Sequence, residues 1–449
     1  MLATRLCHLR IVWVEEAYPA AAALQMLHGR MLYRDIWFDK PPLSALMYLL
    51  WGAETGLAPR LAGALYVTLA CWIAYRFARD IWGEREGRAA ATFLAFFLTF
   101  GIPSAVMALA PDLLMVAPHL AAIWLAWRGR AFLSGTLAGV AFLANPKGAF
   151  VLLACALWAW RDWPRLLAGF ALPNVAMLAW LGSTGALNDY VEQVWRWGML
   201  YSRSTFLDHP ILAGITKTLR WMGFQAALVL GAAWLLWKER TRESWRMAAW
   251  AMLSLVAVCA GWRFFPRYYF QLLPPMAMMA ARGYALLGRK RALLLLALLI
   301  PLVRFGPRYV ALARDLDHQW SDLSMEQDSR LAAARVSEIA APGDTLLVWG
   351  YRPDVFVYTR LAAATKFLDS QPLTGVIADR HLTSSETSDP ALASRNRQAL
   401  TRARPTFIVD GLGPFNPTLA IANYPDLRAW LSQYRELART STSIIYRRR

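Results

Sequence analysis

The sequence predicts an α-helical protein that crosses a membrane about ten or eleven times and carries a small water-facing α/β domain at its C-terminal end. Of its 449 residues, 57% are hydrophobic and only 17% are charged, whereas soluble domains usually carry about 25% charged residues. The 22 tryptophans are typical of side chains placed where lipid meets water. Apolar stretches recur from about residue 60 to residue 310, and the chain beyond residue 314 is polar.

The distribution of charge favours a membrane protein over a nucleic-acid-binding one. The formal net charge is +18, and residues 1–314 hold 32 Lys and Arg against 15 Asp and Glu, whereas residues 315–449 hold 16 against 15. The excess of cations therefore lies among the apolar segments, where positive charge fixes the orientation of helices across a membrane. We expect membrane lipids, and no nucleic acid, among the partners.

Ten apolar segments are predicted to form the spans. Several are shorter than the ~20 residues that a bilayer requires, so one adjacent pair can be a single broken helix. The segments are 60–80, 89–108, 112–127, 131–145, 147–160, 166–184, 221–237, 245–261, 268–287 and 291–310. Cations follow every second segment, which places those connections in the cytoplasm. They are Arg76, Arg79, Arg85 and Arg88, then Arg128 and Arg130, Arg161 and Arg165, residues 238–246 and residues 289–291.

This orientation divides the chain into three parts. Residues 1–59 form a first outer loop, residues 60–314 the transmembrane domain, and residues 315–449 a soluble α/β domain on the outer face. An outer N-terminus with Arg5 and Arg10 runs against the positive-inside tendency. We therefore expect either that the true start lies upstream or that the chain lacks a first helix. The predicted location is the inner (plasma) membrane, with the first loop and the tail on the periplasmic or extracellular side.

The tail alternates strand-like and helix-like stretches, which is typical of an α/β domain. Strands are predicted at 345–351, 406–412 and 442–447, and helices at 331–341, 390–403 and 426–437. We expect one small domain of this kind on the outer face.

The first outer loop concentrates acidic side chains at the membrane surface. Glu15 and Glu16 precede an Ala-rich stretch and so mark a helix N-terminus, where the helix dipole stabilises negative charge. One of them can act as a general base at the interface, although a solvated helix end also explains them. Two prolines follow Lys40 and hold its ammonium near headgroup depth, where it can bind a lipid phosphate or simply reach the interface as an ordinary lysine.

Two further positions combine charge with apolar surroundings. Asp112 lies between two apolar segments, where an acid is costly enough to indicate function, although it can also cap a helix. Arg267 and Tyr268 belong to a cluster of cations and phenols that suits a phosphate or a sugar but also an interfacial aromatic belt. The same cluster contains Arg263 and Tyr269, and weaker candidates of the same kind are residues 145–147 and 195–203.

The sequence lacks the motifs of several common classes of protein. There is no Gly-rich phosphate loop ending in Lys-Ser/Thr, no HExxH, no paired CxxC and no nucleophile elbow, so ATP-driven pumps, zinc proteases and serine hydrolases are disfavoured. His119 stands alone in an apolar segment and is interpreted as a packing residue. No cofactor is predicted. A divalent cation is left open, because the carboxylates can hold one but no ligand set demands it.

A series of short motifs follows in a fixed order along the chain. They are the acidic pair, Tyr18, His28-Gly29-Arg30, Tyr33-Arg34-Asp35, Asp39-Lys40-Pro41-Pro42-Leu43, Arg60-Leu61, Asp112-Leu113-Leu114, the segment 265–275 and Val348-Trp349-Gly350. This order resembles the bacterial membrane glycosyltransferases related to dolichyl-phosphate-mannose-protein mannosyltransferases and to the aminoarabinose transferase of lipid A, which have the GT-C fold. The similarity covers most of the chain, and the acidic pair and the Lys-Pro-Pro turn are its most specific parts.

The resemblance implies transfer of a sugar from a polyprenyl-phosphate carrier to a lipid, glycan or protein acceptor on the outer face, with inversion at the anomeric carbon. Glu15 falls on the family's catalytic acidic position, Asp112 on its second acidic position, and Lys40 on the lysine that contacts the donor phosphate. Because the family's first acid is usually Asp, the neighbouring Glu16 is an alternative base. We further assign Arg267 and Tyr268 to the donor phosphate, and Tyr33, Arg34, Asp35, Asp39 and Arg60 to the substrate loop.

Without the resemblance, two other classes of protein fit the pattern. A transporter or flippase of a lipid-linked or anionic substrate would line its path with Asp112, Lys40 and Arg267, but it should place such charges at mid-helix. A scaffold whose tail binds a partner has no need of the crowded acidic first loop. The clustering of candidates at one membrane face, beside a folded domain, favours chemistry on a lipid-carried substrate.

Overall fold

The computed structural model describes residues 1–203, 205, 207–288, 291–314 and 320–449. It shows a helical bundle followed by a five-stranded sheet domain. The predicted connection at 289–291 and the predicted domain start at 315 lie partly or wholly outside the described residues.

Nineteen α-helices are described before residue 315. They are α1 (Leu2–Leu6), α2 (Val14–Leu27), α3 (Leu43–Leu49), α4 (Leu57–Trp82), α5 (Glu84–Phe97), α6 (Pro103–Val106), α7 (Pro111–Leu114), α8 (Val116–Trp127), α9 (Ala131–Ala144), α10 (Gly148–Ala159), α11 (Trp163–Ser183), α12 (Leu187–Tyr190), α13 (Trp197–Arg203), α14 (Pro210–Phe224), α15 (Ala226–Lys238), α16 (Arg242–Cys259), α17 (Leu273–Leu286), α18 (Arg291–Leu295) and α19 (Leu299–Ala313). The segment Val191–Arg196 is a π-helix, and 3₁₀-helices cover Trp160–Asp162, Pro266–Leu272 and Leu296–Leu298.

Each of the ten predicted apolar segments is largely helical over its described residues. By length and composition, three helical stretches are suited to cross a membrane, Leu57–Trp82, Gly148–Ser183 and Leu296–Ala313, and a fourth arises if α14 and α15 are one span. The other segments form shorter or broken helices. The mostly helical membrane architecture is therefore confirmed, and the number of crossings stays a prediction.

The long stretch Gly148–Ser183 is two helices that run in opposite directions. Gly135 lies against Leu166 and Gly139 against Pro173, so α9 and α11 run parallel. Gly148, at the start of α10, lies instead against residues 141 and 142 at the end of α9. The chain therefore reverses at the 3₁₀ turn Trp160–Asp162. A side chain on Gly135 would come within 1.9 Å of the Leu166 carbonyl oxygen, which explains why α9 and α11 need glycine at this close contact.

The predicted span at 221–237 needs a correction. Its first residues belong to α14, which begins at Pro210 and meets α15 at a bend of 92°. The break falls at Gln225, between the two helices. Apolar side chains of α14 at Ile211, Leu212, Ile215 and Leu219 lie on one exposed face, so this part of the predicted outer loop is an amphipathic helix.

Three of the predicted cationic connections meet at one end of the bundle. Asp80 lies 3.9 Å from Arg128, and Arg282 pairs with Glu86 at 2.8 Å and with Glu239 at 2.9 Å. These contacts join the connections after α4, α8 and α15, as the prediction of a shared side requires. The sheet domain packs at the opposite end, which we call the domain end.

The tail forms one mixed sheet with strand order β2-β1-β3-β5-β4. The strands are β1 (Thr345–Trp349), β2 (Ala362–Ala363), β3 (Phe407–Asp410), β4 (Tyr434–Arg439) and β5 (Ile444–Arg448). The helices are α20 (Ser321–Ser337), α21 (Asp354–Thr359), α22 (Gln371–Thr374), α23 (Pro390–Leu400) and α24 (Pro425–Leu431). β1 runs parallel to β2 and β3, and β5 runs antiparallel to β3 and β4. The three predicted strands are confirmed.

The predicted helix at 426–437 is wrong over its last residues. α24 ends at Leu431, and β4 begins at Tyr434 and pairs with β5, Arg435 opposite Arg447. Residues 434–439 are mostly good helix formers, but the free edge of β5 offers a full set of backbone partners, and this tertiary pairing overrides the local propensity.

Candidate active site

Five separate segments enclose a cavity of about 280 Å³ at the domain end of the bundle. They are the first loop, the start of α7, the turn between α9 and α10, the region around α13, and residues 260–268. The polar lining residues are Glu15, Asp39, Lys40, Asp112, Asn145, Lys147, Tyr201, Ser202, Arg263, Arg267 and Tyr268. Six of the eleven predicted site residues thus share one cavity.

A single guanidinium joins the two predicted catalytic acids. Arg267 forms an ion pair with Glu15, and its Nε lies 3.5 Å from Oδ2 of Asp112. The other oxygen of Asp112 accepts a hydrogen bond of 3.0 Å from the Asn145 side chain. Glu15 lies in the first turn of α2, where the helix dipole favours a carboxylate. The Arg267 guanidinium therefore holds both carboxyl groups at the cavity wall.

Two ammonium groups face the same cavity. Lys40 Nζ lies 3.2 Å from Asp39 Oδ2, and its side chain remains 40% exposed. Lys147 Nζ is buried, lies 3.4 Å from the centre of the Tyr268 ring and has no hydrogen-bond acceptor among the described residues. A buried ammonium without an acceptor is costly. Lys147 is therefore placed to bind an anion that enters the cavity. The sequence alone had identified it only as one of the weaker candidates.

Glu16 lies in different surroundings from the adjacent Glu15. Glu16 is 3% exposed and forms a buried ion pair with Arg60, which is 1% exposed. Its carboxylate also accepts a hydrogen bond of 2.8 Å from the Trp13 backbone and so caps α2. Neither Glu16 nor Arg60 lines the cavity. We interpret this pair as support for the loop that presents Glu15.

Arg60 also ties this loop to the segment that leads to Asp112. It donates hydrogen bonds to the Ile11 carbonyl at 2.7 Å and to the Met107 carbonyl at 3.3 Å. The buried Arg5 donates to the same Met107 carbonyl at 2.9 Å. The N-terminal residues thus pack into the bundle and connect the two acidic segments.

Three predicted loop residues lie outside the cavity. Tyr33 is fully buried, has a positive φ of 68°, and its hydroxyl donates to the Lys40 carbonyl at 2.8 Å. Arg34 and Asp35 pair with each other at 2.9 Å on the surface. Tyr33 therefore positions Lys40 through its backbone carbonyl, whereas Arg34 and Asp35 stabilise the loop.

The sheet domain holds the first loop and one wall of the cavity. The Trp37 backbone donates to the Lys366 carbonyl at 2.7 Å, and Arg30 donates to the Thr365 carbonyl at 2.8 Å. Arg263 lies 3.6 Å above the Tyr201 ring and pairs with Asp379 of the domain. No motif pointed to residues 366 or 379, because their role depends on packing against Trp37 and Arg263, which lie more than 100 residues away in sequence.

Asp369 is a buried acid of the sheet domain. Its side chain is 1% exposed, one oxygen accepts from the Gln371 backbone at 2.8 Å, and the other has no partner among the described residues. Burial, with the Asp39 carboxylate nearby, raises the pKa of Asp369 to about 7. Because an unfolded Asp titrates near pH ~4, the stabilising protonated form is lost as the pH rises from about 4 to about 7.

We therefore expect the unfolding temperature of the wild type to decrease as the pH rises from about 4 to about 7, and Asp369→Asn to flatten this dependence. Thermal unfolding of both proteins across that range is the measurement. An equal slope in both proteins would assign the pH dependence to another group.

The helical bundle, the sheet at one end and the cavity between them define a polytopic membrane protein with the GT-C fold of membrane glycosyltransferases. The sequence profile of the dolichyl-phosphate-mannose-protein mannosyltransferases matches residues 39–186, about a third of the chain. No curated protein matches the chain in sequence.

Solved structures show the same fold over nearly the whole chain. ArnT from Cupriavidus metallidurans bound to undecaprenyl phosphate has a TM-score of 0.60 at 17% identity, over 99% of this chain and 95% of that one. Its apo form has a TM-score of 0.58 at 14% identity, over 99% and 95% of the two chains. The archaeal oligosaccharyltransferase AglB from Archaeoglobus fulgidus, in complex with an inhibitory peptide and a dolichol-phosphate, has a TM-score of 0.50 at 12% identity, over 100% and 73%. The predicted resemblance to GT-C proteins is confirmed.

Among the described residues, no group of three His, Cys, Asp or Glu side chains is arranged to hold a metal ion. Glu15 and Asp112 both contact the Arg267 guanidinium, so a cation already occupies the space between these carboxylates. The structure therefore adds no ligand set for the divalent cation that the sequence left open.

Proposed function

We propose that this protein is an integral membrane glycosyltransferase that moves a hexosyl or pentosyl group from a polyprenyl-phosphate carrier to a lipid, glycan or protein acceptor. The observation that carries the proposal is the cavity in which the Glu15 carboxylate lies near two ammonium groups and the Arg267 guanidinium. A base and a set of cations are the two components that transfer from a phosphate leaving group requires.

In this proposal Glu15 is the general base. It takes the proton from the acceptor hydroxyl as that oxygen forms a bond to the anomeric carbon of the sugar. The bond between that carbon and the phosphate oxygen breaks on the opposite face, so the configuration inverts. Asp112 holds Arg267 from the other side at 3.5 Å and keeps the guanidinium beside the base. We assign the role of base to Glu15 rather than to Glu16, because Arg60 and the helix cap occupy the Glu16 carboxylate.

Lys40, Lys147 and Arg267 bind the phosphate and stabilise the charge that develops on it as the sugar leaves. Lys147 supports this assignment most directly, since its buried ammonium has no acceptor among the described residues. Tyr268 lies under that ammonium and fixes its position.

We place the cavity and the sheet domain on the outer side of the cytoplasmic membrane. Three of the cationic connections gather at the opposite end of the bundle, and cation-rich connections are typical of the cytoplasmic side. The fold shared with ArnT and AglB, whose structures hold undecaprenyl phosphate and dolichol-phosphate, supports a polyprenyl phosphate as the carrier.

Binding of polyprenyl phosphate to the purified full chain tests the proposed donor site. Because a charge-assisted hydrogen bond contributes about 1.5–3 kcal/mol, we expect Lys40→Ala and Lys147→Ala each to weaken binding about 10- to 100-fold. Arg34→Ala changes a cation of the same loop outside the cavity and should leave the affinity unchanged. Wild-type affinity in both lysine variants would contradict the donor site, and a lipid-linked sugar carried across vesicles without transfer would favour a flippase.

A further inference from the structure

A second groove, of about 400 Å³, lies behind the wall that carries Arg267. Pro266 and Tyr269 face this groove, whereas Arg267 and Tyr268 face the cavity described above. The groove runs between α14 and α19, and much of its wall is aromatic, including Trp221, Phe224 and Phe305. Its cations are Lys217, Arg220 and Arg304.

The helices around the groove present apolar surface to lipid. Ile211 and Leu219 of α14 are 67% and 60% exposed, and Val303 of α19 is 69% exposed. In a membrane protein such surfaces contact lipid chains. α14 meets α15 at 92°, so it lies along the membrane surface if α15 crosses the membrane, as interfacial amphipathic helices do. The groove therefore opens at the level where headgroups meet acyl chains.

Two of the cations at this groove, Arg220 and Arg304, are not balanced by acids of the described chain. Arg220 and Arg304 form no ion pair with any described carboxylate, and no acidic residue lines the groove. Lys217 lies 3.4 Å from the Arg263 carbonyl. Basic pockets between membrane helices bind anionic headgroups, and the aromatic wall supplies the contact surface for a lipid chain.

We propose that this groove binds an anionic phospholipid of the surrounding bilayer. The phosphate lies between Arg220 and Arg304, and one acyl chain follows Trp221 and Phe224. The site is distinct from the donor cavity because none of its three cations lines that cavity. The inference therefore does not depend on the proposed transferase activity.

Native mass spectrometry of the purified full chain, titrated with phosphatidylglycerol, tests this inference. Since each cation near an anionic lipid surface contributes about a fivefold gain in affinity, Arg220→Ala with Arg304→Ala should weaken binding about 25-fold. The double variant Arg220→Lys with Arg304→Lys should keep most of the affinity, which separates loss of charge from loss of folding. Arg85→Ala with Arg130→Ala removes two exposed arginines elsewhere and should change the affinity less than about twofold.

Two outcomes would overturn the inference. One is wild-type affinity for phosphatidylglycerol in the alanine double variant, or equal affinity of the wild type for phosphatidylcholine. The other is preferential displacement of phosphatidylglycerol by polyprenyl phosphate, which would make the groove part of the donor path. Because the readout is lipid binding, none of these results depends on whether the protein transfers a sugar.

Discussion

Replacing Glu15 by Gln is expected to lower the rate of sugar transfer by about 10²- to 10⁴-fold, which is the usual contribution of a general base. The amide cannot accept the proton of the acceptor hydroxyl. It can still accept a hydrogen bond from Arg267, so the variant should fold and should bind the donor. Turnover of a polyprenyl-phosphate sugar by the purified protein in vesicles measures the effect, and donor affinity measured in parallel separates chemistry from binding.

The matched control for this variant is Asp35→Asn. It removes a carboxylate of the same loop that pairs with Arg34 on the surface and does not line the cavity. Its turnover should stay near the wild-type value. If Glu15→Gln also kept its turnover, Glu15 would not be the base, and the rate of Asp112→Asn would show whether the second acid carries that role.

Replacing Arg60 by Met is expected to destabilise the protein by about 3–5 kcal/mol, because it leaves the Glu16 carboxylate buried without its partner. The substitution also removes donors to the Ile11 and Met107 carbonyls. The denaturation midpoint in a fixed detergent gives the measurement. Turnover should fall with stability, since the pair supports the loop that presents Glu15.

A double-mutant cycle identifies the buried charge as the cause. Arg60→Met combined with Glu16→Gln removes both charges and should be clearly more stable than the sum of the single variants predicts. Arg196→Met breaks the exposed pair with Glu192, at 70% and 39% side-chain exposure, and should cost under about 1 kcal/mol. Strictly additive effects of Arg60 and Glu16 would show that their contact contributes little.

Much of the fold follows from local sequence patterns. The apolar segments form helices because runs of that composition satisfy their backbone groups internally, and strands β1, β3 and β5 follow from β-branched, buried stretches. Two elements were not predicted, because tertiary contacts determine where they form. β4 forms against the edge of β5, and α14 is separated from α15 by a break at Gln225 inside a continuous apolar pattern.

Several residues of the candidate site could be identified from sequence motifs, but their arrangement in space could not. Glu15, Lys40, Asp112 and Arg267 were identified through motifs, and the cavity brings them together from positions up to 252 residues apart. Glu15 and Glu16 are adjacent and of the same residue type, so the sequence left Glu16 as an alternative base. Only the direction of the helix and the position of Arg60 decide which of them faces the cavity. Lys147 gains its importance from a buried ammonium, which no spacing reveals.

Mass spectrometry of polyprenyl-phosphate-linked lipids in intact cells tests the central claim most directly. Cells that lack the protein, cells with the wild type and cells with Lys40→Ala would be compared. Our account predicts that one lipid-linked monosaccharide accumulates in the deletion and in the variant, because its consumption at the outer face has stopped. A lipid pool that is the same in all three would contradict a transferase that uses a polyprenyl-phosphate sugar.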